Sequence, residues 1–461
     1  MSLIKSISGI RGTIGGVQGE NLTPNDIVAF TSGFAALVAS RFKSPKVIVG
    51  RDGRISGPMV QSLVTATLQS MGIHVLDADL TTTPSLEMAI PAEKAQGGIM
   101  ITASHNSMEW NALKFMDEHG EFINAASGQQ LLDLSSSAIQ YKSGEQLGGY
   151  SPLKNTIANH IKAILKLKLV NTELIKIKRF KIVVDVINST GGLAVPALLD
   201  KLGCEYVLIN EEIDGRFAHN PEPLPEHINE LVVAVIKHKA DLGIVVDPDV
   251  DRLAFVSDNG DPFGEEYTLV SIADYVLSKE KGNSVSNLSS TQALRDITLL
   301  HGGQYFASAV GEVNVVAKMK ETNAVIGGEG NGGVIYPKLH YGRDALVGIA
   351  LFLSQLAEFS KSSSLLRSKY PNYEISKNKI ELAEKKHMEQ IFKRLKDQYQ
   401  KHKTNSEDGL RIDLDGEWVH LRQSNTEPII RIYAESNSKV VADHLAQKLI
   451  KDIREIQKDL K

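Results

Sequence analysis

Residues 247–252 read Asp247-Pro248-Asp249-Val250-Asp251-Arg252. Three carboxylates at alternate positions, directly after the apolar run LGIVV, repel one another. Gathering them in a cleft is costly unless a divalent cation neutralises them. An all-oxygen donor set suits magnesium better than zinc. A calcium EF-hand is disfavoured, because Arg252 stands where that loop needs glycine and Asp258 where it needs glutamate. A solvated acidic turn is the plain alternative. A second run, Thr102-Ala103-Ser104-His105-Asn106, sets a serine just past the strand-like stretch GIMITA. A serine there is exposed and backbone-positioned, as a nucleophile needs to be, although Ser, His and Asn also build ordinary turns. No G-x-S-x-G elbow surrounds it, which disfavours acyl transfer.

Two further runs could hold a polar ligand. Gly327-Gly328-Glu329-Gly330-Asn331-Gly332-Gly333 combines glycines that permit close backbone approach with acceptors and donors suited to sugar hydroxyls. Arg422, Ser424, Asn425 and Thr426, with Arg431 beyond, offer a guanidinium, two hydroxyls, an amide and turn N–H groups, the parts of a phosphate cradle. Each has a bland counterpart, a flexible glycine turn and a hairpin loop with surface arginines. Together, a serine, an acidic triad, a sugar-type loop and an anion cradle are what phosphosugar chemistry requires.

The elements that would position these runs repeat. Strand-like and helix-like stretches alternate over the first ~365 residues, the mark of α/β architecture. Thr23 and Pro24 open a helix that carries Ile27, Phe30, Phe34, Leu37 and Val38 at helical spacing. KVIVG, the run at 73–78 and GIMITA read as strands around the helix 59–71. The same pattern recurs with KIVVDVI and LGIVVD, and more faintly with NAVIGG. Three units therefore each end a strand in a polar loop, and in open α/β sheets ligands bind beyond the carboxyl ends of strands. Lys361–Ser364 reads as a linker. After it come a charged helical stretch, the strand-like runs LRIDL, EWVHLR and IIRIYA, and a closing helix, an α+β pattern.

Composition narrows the class. The chain has 461 residues, which suggests three or four domains at ~150 residues each. Hydrophobic residues are 42% and charged residues 23%, as in ordinary globular proteins. A net charge of −4 without a basic block gives no reason to expect nucleic acid or a lipid surface as partner. The one cysteine, Cys204, excludes an internal disulfide or a multi-thiolate metal site and reads as a core thiol. The N-terminal run has no signal-peptide pattern, and no apolar stretch reaches the ~18 residues of a membrane helix. A cytoplasmic enzyme is the expectation.

At the four runs the sequence resembles the α-D-phosphohexomutase superfamily: phosphoglucomutase, phosphomannomutase and phosphoglucosamine mutase. The resemblance spans essentially the whole chain, with the runs in the family's order. It implies three related α/β domains with mixed sheets and a C-terminal α+β domain around a central cleft, expected at residues 1–148, 149–253, 254–364 and 365–461. It implies that Ser104 is a phosphoserine and that its phosphate, with Asp247, Asp249 and Asp251, holds one Mg2+ per chain. Arg252 resembles the arginine beside the metal, Lys114 an active-site lysine and Arg11 an early active-site arginine. Glu329 and Asn331 fall on the sugar loop; Arg422, Ser424, Asn425 and Thr426 fall on the distal phosphate loop. The implied activity is interconversion of hexose 6-phosphate and hexose 1-phosphate, activated by a hexose 1,6-bisphosphate, in a monomer or homodimer.

Three departures stand out. Ser107 replaces a proline, Pro248 and Val250 replace glycines of the metal loop, and Asn331 and Gly333 replace serine and histidine of the sugar loop. The lost histidine leaves His105, Lys114 and His340 as candidates for proton transfer. The variant loop, with HNPEPLPE at 219–226, is most similar to the branch called phosphoglucosamine mutase. The rival readings are phosphomannomutase or phosphoglucomutase activity, a sugar phosphatase with Asp247 as nucleophile, and a non-catalytic sensor of sugar phosphates.

Overall fold

The computed structural model describes residues 2–6, 9–381, 388–423 and 429–459. Its first three sheets share one plan. In each, two strands lie parallel, a third joins the first on its other side, and a fourth returns antiparallel to the third. In the first unit these are Lys46–Arg51, His74–Leu80, Gly97–Ile101 and Trp110–Met116. In the second they are Lys181–Asp185, Glu205–Ile209, Leu242–Val246 and Leu253–Ser257. In the third they are Asn283–Asn287, Tyr305–Ser308, Ala324–Glu329 and Gly333–Ile335. The first sheet is widened to seven strands by Ile4–Ser6, Gly9–Thr13 and Tyr150–Pro152. In each of these three units a polar run read from the sequence stands at the turn from the third strand into the returning fourth: residues 102–106, 247–252 and 327–333. The sequence pattern showed the strands that enter these loops, and the structure adds the strands that leave them.

Local chemistry accounts for the elements. Thr23 and Asp26 form a capping box at the start of helix Pro24–Arg41, with Pro24 in its first turn. The central parallel strands Lys181–Asp185 and Leu242–Val246 are buried on both faces, hence the unbroken apolar runs KIVVD and LGIVV. Helix Ala345–Phe359 is buried along nearly its whole length, and its apolar residues join one continuous core shared by the second and third units.

The fourth unit is α+β. Its antiparallel sheet runs Glu374–Glu381, Ile429–Ser436, Trp418–Gln423, Leu410–Asp413, Lys403–Asn405, with helices Met388–Gln398 and Lys439–Asp459 contributing to a separate core. The expected linker at 361–364 is instead packed structure. Ser362 caps helix Ser363–Arg367, the buried Ser363 hydroxyl donates to the Asp241 carbonyl at 2.8 Å, and Leu366 enters the shared core. Its serines cap and bond locally, which in sequence looks the same as a solvated tether. Among the described residues no helix is long and apolar enough to cross a membrane.

Candidate active site

The loop after Gly97–Ile101 carries Ser104, buried at a left-handed φ of 48°. The sequence suggested an exposed serine, and the reason for the difference is Arg54. This fully buried guanidinium donates to the carbonyls of Ser104, Asn106, Ser107 and Trp110 at 2.6, 2.6, 2.7 and 2.9 Å. Asp52 balances its charge at 3.0 Å and also accepts from the Thr102 hydroxyl at 2.7 Å. The loop is thus folded round a buried cation rather than laid on the surface.

The Ser104 hydroxyl donates to Asp247 Oδ2 at 2.7 Å, across 143 positions of sequence. Asp247 Oδ1 accepts the backbone N–H groups of Asp251 and Arg252 at 3.1 and 3.0 Å. Asp247, Asp249 and Asp251 are fully buried, and each presents a carboxylate oxygen within 4.8 Å of the others. Burial and the charges of Asp251 and Asp249 push the Asp247 carboxyl well above the usual range. Burial acts the same way on Asp251, but Arg343, Lys114 and Arg252 outweigh it and hold that carboxyl below the usual range. Among the described residues Asp249 Oδ1 and Asp251 Oδ1 have no hydrogen-bond partner. Orphaned buried carboxylate oxygens beside two other carboxylates fit a hard divalent cation.

Cations surround the triad. Lys114 Nζ lies 2.7 Å from Asp249 and 3.4 Å from Asp251. Burial opposes its charge, yet these carboxylates raise its pKa above the ordinary lysine value. Arg252 pairs with Glu222 at 3.1 Å. Arg11 reaches Asn106 at 3.4 Å, and its pKa is lowered by burial and by the charges of Arg252 and Arg431. Like charges gathered in this way mark a basin for an anion. His105 Nδ1 is 3.4 Å from Ser104 Oγ, and burial with Arg252 and Arg11 keeps its imidazole neutral.

Glu329 ends the third strand of its unit. It accepts from Asn287 at 2.8 Å, from the Gly311 N–H at 2.9 Å and from Arg343 at 2.9 Å. Arg343, absent from the sequence reading, also reaches Asp251 at 2.7 Å and Glu312 at 3.1 Å. It ties the acidic loop to the sugar-type loop. A Cβ at Gly333 would collide with Arg343 Cδ. The space beside the glycine that replaces the family histidine is therefore filled by an arginine from another loop. Its signal in the sequence was slight, one arginine in the run GRDA.

Arg11, Ser104, His105, Lys114, Arg252, Glu329, Asn331, Arg422 and Arg431 line one cleft of about 490 Å3, with Arg343 and Glu222. Arg422 and Arg431 face each other across adjacent strands of the fourth unit, and Arg422 pairs with Asp408 at 2.7 Å. Ser424, Asn425 and Thr426 lie outside the described residues. His340 does not join the cleft; it sits among Asp344 and Glu87.

Family profiles for phosphoglucomutase/phosphomannomutase match four consecutive stretches. They are alpha/beta/alpha domain I at 4–142, domain II at 158–260, domain III at 264–373 and the C-terminal domain at 379–452. The chain belongs to the phosphoglucomutase/phosphomannomutase family. It is a phosphohexomutase, an intramolecular phosphotransferase. The phosphoglucomutase/phosphomannomutase of Thermococcus kodakarensis is 33% identical over 458 residues, covering 97% of this chain and 99% of the relative. The phosphoglucosamine/phosphogalactosamine mutase of Sulfurisphaera tokodaii is 32% identical over 468 residues, covering 98% and 99%. A crystal structure of a phosphoglucomutase/phosphomannomutase family protein from Burkholderia thailandensis superposes on this phosphohexomutase with a TM-score of 0.83 at 26% identity, covering 99% and 98% of the two chains.

Proposed function

We propose that this phosphohexomutase interconverts glucosamine 6-phosphate and glucosamine 1-phosphate by passing a phosphoryl group through Ser104. The observation that carries the catalytic part is the 2.7 Å contact between Ser104 Oγ of the first unit and the acidic triad of the second. The substrate part is supported by the Sulfurisphaera tokodaii relative, named for glucosamine and galactosamine phosphates.

Asp247, Asp249 and Asp251, with an oxygen on Ser104, would hold a magnesium ion. When bound, the ion supplies Lewis-acid stabilisation of charge developing at the serine oxygen. The protein's own groups do the rest. The phosphoserine P–Oγ bond breaks while a bond forms from phosphorus to the free hydroxyl oxygen of the hexose phosphate. His105, with Nδ1 3.4 Å from Ser104 Oγ, passes the hydroxyl proton to that oxygen as the phosphoryl group leaves it. Lys114 is pinned as a cation by two carboxylates and His340 lies outside the cleft, so neither serves as this base. Arg252 and Lys114 offset charge on the transferring group. Arg422 and Arg431, with Ser424, Asn425 and Thr426, grip the other phosphate, so that binding energy far from the reaction orients it. The bisphosphate then turns over in the cleft and returns its second phosphoryl group to Ser104. A hexose 1,6-bisphosphate is accordingly the activator as well as the intermediate.

Asp247 as the phosphoryl acceptor has less support, because both its oxygens already accept hydrogen bonds. The test is a side-by-side turnover assay on glucosamine, glucose and mannose 6-phosphates, each with a trace of its bisphosphate. Glucosamine should give the highest kcat/KM; a preference for mannose or glucose overturns the substrate. Ser104→Ala should abolish turnover with all three while the chain stays folded. Turnover that survives in that variant overturns the nucleophile.

A further inference from the structure

Outside the cleft, one group of polar side chains is drawn from three units and buried between them. Helix Thr83–Ala92 supplies Ser85 and Glu87, helix Thr156–Ile164 supplies His160, and the stretch entering helix Ala345–Phe359 supplies His340 and Asp344. We propose that His160, His340 and Asp344 bind a second divalent cation, of the zinc type, at this junction.

The ligand atoms converge. His160 Nε2 is 2.9 Å and His340 Nε2 3.2 Å from the same oxygen, Asp344 Oδ2, and the three lie within 4.8 Å of one another. Tetrahedral zinc with bonds of 2.0–2.1 Å spaces its ligands by about 3.3 Å, so small movements would admit the ion. The two rings meet edge to face at 89°, so both present Nε2 to one point without stacking.

On the outer side each imidazole faces an oxygen, bonded to it in one case and close by in the other. A ligating imidazole is normally held through its other nitrogen by an oxygen acceptor. His160 Nδ1 lies 3.0 Å from Ser85 Oγ, and His340 Nδ1 lies 3.3 Å from Glu87 Oε2. Asp344 Oδ1 is occupied by the N–H groups of Leu346 and Val347, which leaves Oδ2, facing the two Nε2 atoms, as the ligating oxygen.

An independent observation comes from Glu87. It is 2% exposed, and His340 Nδ1 approaches its Oε2 at 3.3 Å without hydrogen-bond geometry, so among the described residues both carboxylate oxygens and that nitrogen are left without a partner. Two buried carboxylates, Asp344 and Glu87, thus stand beside two imidazoles. A divalent cation on neutral imidazoles cancels both charges, and ligation through Nε2 makes His340 Nδ1–H a donor to Glu87. The donor set of two nitrogens and one oxygen selects zinc, where the oxygen-only triad in the cleft selects magnesium. A residual opening remains, since the His340 side chain is 12% exposed.

The site would brace the catalytic loops. Thr83, on the helix that carries Glu87, donates its N–H to the Asp249 carbonyl at 2.9 Å. Arg343, which clamps Asp251 and Glu329, directly precedes Asp344.

The full-length chain, stripped with chelator and held in excess Mg2+ to fill the triad, should take up one equivalent of Co2+ with intense visible absorption. That absorption marks low-coordinate nitrogen-containing ligation and is displaced by Zn2+. X-ray absorption of the zinc-loaded wild-type chain should show two imidazoles. The cleft offers at most His105, so two imidazoles exclude it as the source. His160→Gln and His340→Gln should each weaken zinc binding 10-fold or more, whereas Asp249→Asn should leave it intact. No uptake by the wild-type chain in excess Mg2+ overturns the proposal, as does a shell with fewer than two imidazoles. Either result makes the cluster a proton-bridged network. The wild-type spectra decide even if the histidine variants fail to fold.

Discussion

Val250 lies between two of the three triad aspartates, at φ 63° with its side chain fully buried in the core of the second and third units. A left-handed residue with a Cβ carries about 1–2 kcal/mol of strain, and burying a valine is worth roughly 1.5–3 kcal/mol. The two terms nearly balance, which explains how a valine can stand where the family has glycine. Val250→Ala loses the packing and keeps the strain, so it should cost about 1–2.5 kcal/mol. Val250→Gly loses the packing and relieves the strain, so it should be as stable as the alanine variant or more so. That reverses the usual order at a buried position, and urea unfolding of the two variants checks it. A glycine variant clearly less stable than the alanine variant would show that packing alone holds the loop. At this scale the sequence was legible where several chemical groups fall in one short run. Asp247, Asp249 and Asp251 are two positions apart, and their mutual repulsion is visible without coordinates. Arg343 was not visible, because it is a single charged residue whose partners lie far off in the chain, and Glu222 fell in the run HNPEPLPE without any sign of its pairing with Arg252.

The three loops keep their shape because a strand enters each and an antiparallel strand leaves it. The entering strands were readable as apolar runs. The returning strands were not, since Trp110–Met116 contains Asn111 and Lys114 and Gly333–Ile335 is only three residues long. Their membership is decided by pairing rather than by periodicity. Arg54 was missed for a related reason: in GRDGRISG it looks like a solvated turn residue, but it holds four carbonyls of the serine loop. Arg54→Met removes the cation and leaves Asp52 and those carbonyls buried without it, which should cost about 3–5 kcal/mol. Arg54→Lys should retain part of the stability but not the loop shape, because an ammonium cannot reproduce the planar fork. Thermal melting of both variants and kcat of the lysine variant read this out. Normal turnover in Arg54→Lys would show that the loop does not depend on the fork.

At the scale of the molecule, the cleft exists only where all four units meet. The fourth unit is held on the third by polar contacts. The Val310 N–H donates to Asp408 at 2.9 Å, the Gln292 N–H donates to Glu435 at 3.0 Å, and Ser289 Oγ lies 2.9 Å from His420 Nδ1. His420 also lies 2.7 Å from the Asp408 carbonyl. Burial, chiefly, with Arg411 and Arg422 nearby, depresses its pKa from 6.5 to about 4. Between those values the unfolded chain binds a proton that the folded chain does not, so stability is full above 6.5 and falls as the pH drops toward about 4. By pH ~5 the loss should reach about 2 kcal/mol in the wild-type chain and be smaller in His420→Gln, read as the difference in melting temperature between neutral and acid buffer. Equal acid sensitivity in both would remove His420 from the account. The order of the four runs along the chain made the family legible, but their convergence is a property of the assembled units alone. Its most direct test is to follow the phosphoryl group itself. The wild-type chain is incubated with glucosamine 1,6-bisphosphate carrying isotopic phosphate, the labelled peptide is mapped, and the label is chased with unlabelled glucosamine 6-phosphate. Label should appear on Ser104 and pass to the sugar as fast as the enzyme turns over. Label on Asp247, or turnover with no label on Ser104, would contradict transfer through Ser104.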